Sequence, residues 1–267
     1  MPFLKWAGGK GQLLKQFEPY YPDRFARYFE PFIGGGAVFF SMAAKQQDLR
    51  ATISDCNFEL INCYQVIQNH VDELCFALRE HLNDADHYYR VRAMDVSALN
   101  PISRAARLIY LNKTCFNGLY RVNRSGKFNV PFGKYKNPRI VDDTNLRNVS
   151  RLLQRTDIRH SNFDESLEQA RKGDFVYLDP PYQPLSTTSN FTSYTATSFS
   201  SADQERLADT FRKLSNRGCL VMLSNSDTEL IEDLYRGFNL HRVMATRAIN
   251  CKGNSRGRIS ELLITNY

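Results

Sequence analysis

"RYFEPFIGGGAVFFSMAAKQQDLRATISD", residues 27–55, runs from an apolar stretch through three glycines into a second apolar stretch and ends on an acid. Residues 27–33 read as a strand, the segment from Ala37 as a helix, and residues 51–55 as a second strand. Strand, glycine turn, helix and strand is the unit from which a doubly wound α/β sheet is built. Gly34, Gly35 and Gly36 let backbone approach a ligand closely at a helix N-terminus, although a glycine-rich structural turn has the same composition. Asp55 lies about twenty residues beyond them, where such sheets place a carboxylate against ribose hydroxyls. A dinucleotide fingerprint wants glycine at position 39, which is Phe39, and the chain contains no GxxxxGK[ST]. The pattern predicts a nucleoside-like ligand without a pyrophosphate cradle.

The same α/β rhythm resumes after residue 145. A helix (LRNVSRLLQ) precedes a short strand (DIRHSNF), whose end carries Phe163 and Asp164. These two residues would set a ring against an adenine and a carboxylate on its amino group. A helix over 165–172 then leads to FVYLDPPYQPLS, residues 175–186. Phe175 to Leu178 read as a buried strand, ended by Asp179, Pro180, Pro181 and Tyr182. Alone, that ending is equally a turn or a site, since proline cannot donate to a sheet ladder. Beyond it come a Ser/Thr-rich loop, a helix with a capping box expected at Ser201 and Gln204, the apolar strand CLVMLS, a helix over 228–236 and a C-terminal antiparallel hairpin.

Between residues 57 and 144 the pattern changes to helices followed by a β-hairpin whose tip is Arg124-Ser125-Gly126-Lys127. Between Asp95 and Asp142 there is no acidic residue, while nine basic ones occur: Arg104, Arg107, Lys113, Arg121, Arg124, Lys127, Lys134, Lys136 and Arg139. A solvated basic face normally interleaves acids, so the block points to nucleic acid. The net charge of +7 and pI near 9.1 agree in sign. No run of eighteen apolar residues predicts a membrane span, and six cysteines without CxxC or Cys/His spacing predict reduced thiols, no metal and a cytoplasmic protein.

In this setting Asp179 and a backbone carbonyl would accept the two protons of an exocyclic base amine, favouring its nucleophilic form. Tyr182 would stack on a base taken out of its duplex. No Pro-Cys dipeptide supplies a thiolate for attack on cytosine carbon-5. The motifs FLKWAGGK (3–10), EPFIGGGAVFF (30–40), ISDCN (53–57) and DPPY (179–182), in that order, together with FNGLYRVN…GKFNVPFGKYKNP in the basic insert and with NFTSY and TNY, resemble the Dam-type DNA adenine-N6 methyltransferases across nearly the whole chain.

That resemblance implies S-adenosylmethionine as cofactor, double-stranded DNA as partner, and adenine in GATC as the methylated base. Trp6, Lys10, Asp55 and Asp179 match positions that contact S-adenosylmethionine or line its pocket, beside Gly34, Gly36, Phe163 and Asp164 from the reading above. Asp179, Pro180 and Tyr182 match the catalytic corner. Arg121 matches an arginine that reads a guanine, and Leu119 and Pro131 match residues at base edges. Asn117 and Phe116 match an intercalating and gap-filling pair, and Lys134 a phosphate contact. Phe116 and Lys134 depart from the tyrosine and arginine of some members, with the physical role preserved. Residues 1–56 and 145–267 are expected to form the catalytic domain and 57–144 an inserted DNA-recognition domain. No obligate protein partner is indicated. The corner chemistry by itself also admits a cytosine-N4 or RNA amino-methyltransferase, and a non-catalytic DNA-binding regulator is the alternative of another class.

Overall fold

In the computed structural model, residues 1–46, 48–183, 199–246 and 258–267 are described. After a short helix α1 (Leu14–Phe17) come β1 (Tyr28–Glu30), α2 (Ala37–Lys45) and β2 (Ala51–Asp55). Helices α3 (Phe58–Asn69), α4 (Val71–Arg79), α5 (Ala85–Ala93) and α6 (Pro101–Thr114) follow, then an irregular stretch to α7 (Asp143–Leu153). The chain continues through β3 (Thr156–His160), α8 (Phe163–Ser166), β4 (Phe175–Leu178), α9 (Ser201–Asn216), β5 (Leu220–Ser226), α10 (Glu229–Leu234), β6 (Asn239–Thr246) and β7 (Arg258–Thr265).

Among the described residues, seven strands form one sheet in the order β3-β2-β1-β4-β5-β7-β6, parallel except where β7 pairs with β5 and β6. The order reverses between β1 and β4, so the crevice outside their carboxyl ends is the place for a ligand. The glycine loop follows β1 and the DPPY corner follows β4. Sheet topology therefore sets the two sequence signals side by side.

Strand β4 is covered on both faces, and Phe175, Val176, Tyr177 and Leu178 are each fully buried. A central parallel strand needs this unbroken apolar run rather than an alternating one. Burying each such side chain contributes about 1.5–3 kcal/mol. One hydrophobic cluster joins Tyr28, Phe39 and Ile53 of the sheet layer to Leu60, Tyr64, Tyr88 and Tyr110 of the helical segment. A second cluster packs α9 and α10 against the other face through Leu207, Phe211, Ile231 and Tyr235.

Several boundaries differ from those expected, each for a local reason. The strand expected over 27–33 ends at Glu30, where Pro31 follows. The third strand ends at His160, because Asn162 caps a helical turn by accepting from Glu165 N; Asp164 thus lies on α8, not at a strand end. That helix stops at Ser166 rather than filling 165–172. The α9 capping box is Ser200 with Asp203, one residue earlier than expected, and this frees the Gln204 side chain for another task. The Ser/Thr-rich loop with NFTSY, and the basic loop before β7, fall largely outside the described residues.

Candidate active site

Glycine is required at two points of the loop after β1. Gly34 and Gly36 have φ of 44° and 69°, and a Cβ on Gly36 would lie 2.7 Å from Tyr64 Oη and 2.9 Å from the Phe40 ring. A Cβ on Gly34 would lie 2.9 Å from the Trp6 indole, which therefore closes over bare backbone. Asp55 completes this cradle. Its Oδ2 accepts from Gly34 N at 3.1 Å and its Oδ1 from Asn57 N at 3.0 Å. Burial raises its pKa, while these two amides act in the opposite direction.

Lys10 comes from the N-terminal segment to the end of β4. Its Nζ donates to Gly8 O at 2.6 Å, lies 2.8 Å from Asp179 Oδ1, and sits 4.6 Å from the centre of the Tyr182 ring. The ammonium is thus bound by a carboxylate and stacked on an aromatic face, the two contacts foreseen for an amine-bearing base. The Asp179 side chain keeps 19% of its exposure. Desolvation pushes its pKa up, and Lys10 and a hydrogen bond from Ser224 pull it down. Pro180 is buried, and proline at this point ends the strand's ladder and stiffens the turn.

Phe163 is buried against Phe32 and Phe199, with the Arg206 guanidinium 4.4 Å from its ring centre. Asp164 pairs with Arg206 and accepts from Thr210 Oγ1 at 3.0 Å. An adenine at Asp164 would have to share that carboxylate with Arg206.

The segment expected to contact DNA lies beyond α6. Cys115–Phe132 and Val122–Phe128 are isolated antiparallel bridges, so the expected hairpin is narrow and irregular. Phe116, Asn117, Arg121, Arg124, Pro131 and Lys134 are exposed and Leu119 is half-buried. Arg121 is held by Asn129, with Nε donating to Oδ1 at 2.7 Å. Asn117 and Lys134 have φ of 57° and 53°. For lysine this conformation costs about 1–2 kcal/mol. Gly133 N bonded to Thr114 O at 2.8 Å, and Tyr135 O bonded to Asn83 at 2.7 Å, hold it from both sides. Not all nine basic residues face outward. Buried Arg107 donates to Val91 O and Arg92 O, and Arg104 pairs with Glu59.

Residues 6–249 match the D12 class N6 adenine-specific DNA methyltransferases. The chain belongs to this family. "Type II methyltransferase M1.LlaDCHI" of Lactococcus lactis subsp. cremoris is 45% identical over 274 residues, covering 100% of this chain and 95% of the relative. "Type II methyltransferase M.MjaIII" of Methanocaldococcus jannaschii is 47% identical over 285 residues, covering 100% and 99%. "DNA adenine methylase" of Escherichia coli (strain K12) is 37% identical over 265 residues, covering 98% and 93%. The Dam-type resemblance and the α/β fold read from the sequence are both upheld.

Sequence reasoning missed much of what holds this methyltransferase's corner in place. Ser224, Asn225 and Ser226 form the end of β5 directly beside it. Ser224 Oγ donates to Asp179 Oδ1 at 2.8 Å, and Tyr177 Oη lies 2.8 Å from Ser224 Oγ. Asn225 Oδ1 accepts from Gln183 N at 3.3 Å, and Ser226 Oγ donates to Gln183 O at 2.9 Å. Gln204, released from capping, donates to Pro181 O at 3.0 Å and accepts from Asn225. Tyr182 Oη donates to Glu261 Oε2 at 2.7 Å. Glu30 at the end of β1 is buried, takes the Tyr28 hydroxyl at 2.5 Å, and is held well above its ordinary pKa by desolvation. The signal in the sequence was SNS closing an apolar strand, polar residues at the end of the core run.

Among the described residues no cluster of three or more His, Cys, Asp or Glu is placed to hold a metal, and no helix is long and apolar enough to cross a membrane. The described cysteines are all free; Cys251 lies outside the described residues.

Proposed function

We propose that this adenine methyltransferase acts on double-stranded DNA at GATC, using S-adenosylmethionine, with the target adenine turned out of the helix. The observation that carries the reading is the Lys10 ammonium bound by Asp179 and stacked on Tyr182. A cation with protons to donate already satisfies the contacts that an adenine amino group over the same ring would need. S-adenosylmethionine, when bound, supplies an electrophilic methyl group on a sulfonium.

The residues present fit that cofactor. Gly34 and Gly36 remove side chains where it would approach, Trp6 walls the loop, and Asp55 offers a fixed carboxylate at the end of β2. Phe163 and Asp164 stand at the next strand connection. Asp179 would accept a hydrogen bond from one N–H of the amine and a carbonyl held by the rigid Pro180 turn one from the other, reducing delocalisation of the nitrogen lone pair into the ring. As the N–C bond forms and the S–C bond breaks, the surplus proton leaves the nitrogen. For the target amine to bind, the Lys10 side chain must withdraw. Direct transfer then needs alignment of donor, carbon and acceptor.

Residues 57–144 would serve as the recognition insert. Arg121, Leu119 and Pro131 would face base edges, Phe116 and Asn117 would enter the stack, and Arg124 and Lys134 would contact phosphates. Support for GATC comes from the match at these positions. The test is tritiated methyl transfer to duplexes containing GATC or its scrambled form, followed by nucleoside chromatography. N6-methyladenine confined to GATC is expected. Equal transfer to both duplexes would refute the sequence preference, and N4-methylcytosine would refute the target.

A further inference from the structure

We infer that Ser224 is a positioning residue for the catalytic carboxylate, its Oγ holding Asp179 in the orientation that receives the target amine. The inference rests on reading Asp179 as the acceptor of the amine's protons. In the register of β4 and β5, Leu178 lies beside Leu223, so the next residues along are Asp179 and Ser224. Ser224 is fully buried, and its hydroxyl is 2.8 Å from Asp179 Oδ1.

The direction of the hydrogen bonds follows from counting protons. A serine hydroxyl has one proton, and Ser224 gives it to a carboxylate that has none to return. Tyr177, whose hydroxyl is 2.8 Å from Ser224 Oγ, must therefore be the donor to Ser224. Burial keeps the Tyr177 hydroxyl protonated. The chain Tyr177 to Ser224 to Asp179 runs one way, each bond polarising the next.

Aspartate needs this help because rotation about its terminal torsion is soft and nearly two-fold. In the resting site Oδ1 is shared between Lys10 and Ser224. When an amine replaces the Lys10 ammonium, only Ser224, anchored in the sheet, remains from the original pair. Asn225 and Ser226 hold the backbone at Gln183, so the hold on the Asp179 side chain is Ser224's own. The titratable groups around Asp179 are Lys10 from the N-terminal segment, Glu30 from β1, Tyr177 from β4, Tyr182 after it, and Glu261 from β7 behind Tyr182.

The experiment compares Ser224→Ala, Tyr177→Phe, their double variant and Asp179→Ala in single-turnover transfer to a GATC duplex across pH, with DNA and cofactor affinities measured separately. Ser224→Ala should slow transfer on the order of 10–100-fold with both affinities retained. Its acidic limb should move to higher pH, because a hydrogen bond favouring the ionised carboxylate is gone. Tyr177→Phe should lose less in the same direction, and the double variant should match Ser224→Ala. If the loss came only from stranding the Tyr177 hydroxyl, the double variant would recover wild-type rates and the inference would fall. A folded Ser224→Ala with normal rate and unmoved limb would also overturn it. An active Asp179→Ala would instead remove the reading of the corner on which the inference depends.

Discussion

The DPPY corner and the segment proposed to read DNA are both loops that follow regular elements, yet they are built in opposite ways. Residues 179–183 are fastened by β5, α9 and β7 through side chains that are themselves buried or bonded. Residues 116–134 are joined by isolated bridges and present most of their side chains to solvent. Chemistry tolerates little displacement, since misplacing a reacting group by about 1 Å can cost about 100-fold. Reading a duplex instead needs side chains free to settle on base edges and phosphates. The denser set of side-chain fastenings lies where the proposed chemistry holds a single amine, and the more exposed side chains lie where the proposed duplex would sit. Arg121 and the backbone beside Lys134 are held there by a few bonds.

The contrast can be broken most severely at the corner. Asp179→Ala should lower methyl transfer about 100–1,000-fold with DNA affinity nearly unchanged, by comparison with loss of a single buried electrostatic stabiliser. Rapid-quench transfer and equilibrium binding on one preparation check this; a parallel fall in affinity would show that the corner also carries binding. Arg121→Ala should act on the other side of the comparison. Loss of a bidentate guanine contact predicts about 1–3 kcal/mol less discrimination at one base pair, read from binding to singly substituted duplexes. A uniform loss over all sequences would make Arg121 a phosphate contact instead.

Lys134→Ala should weaken binding equally across sequences and reduce the slope of log affinity against log salt by about 0.9. An unchanged slope would remove Lys134 from the phosphate track. The smallest effect concerns the support behind that lysine. His81 Nδ1 lies 3.0 Å from His87 Nε2, His81 stacks on Tyr110 at 4.4 Å, and Asn83 between them holds Tyr135 O. Burial, then the neighbouring His87, lowers His81 to about 4, and burial followed by Arg90 lowers His87. His81 therefore stays neutral in the fold while the unfolded chain takes a proton near 6.5. Its contribution is complete above 6.5 and lost as pH falls toward about 4, and His87, also lowered, acts in the same direction. Thermal melts should show that slope in the wild type and a flatter one in His81→Phe, which keeps the stack; identical slopes would place the acid sensitivity elsewhere.

The sheet was legible because its signals are local. The glycine turn, the acid at Asp55 and the apolar β4 run each follow from backbone freedom or burial within a few residues. The residue types at the corner and the run of basic residues between Asp95 and Asp142 stand in the sequence just as directly. What remained hidden depends on contacts across the chain. Nothing in the order of residues says that Ser224 meets Asp179, or that Gln204 leaves its capping duty to hold Pro181. Composition also overstated the basic face, because a buried Arg107 bonded to carbonyls counts the same as an exposed Arg124.

The N-terminal segment has a consequence of its own. Lys5 exchanges two hydrogen bonds with Asn112 of α6, Trp6 stacks on Tyr120 at 5.1 Å, and Lys10 ends at Asp179. Six residues therefore form a connecting rod, with one bearing beside the strip proposed to read bases and the other on the carboxylate. A mismatch that tilted the first bearing would arrive at the second as a shift of charge, with no hinge, second subunit or separate messenger required.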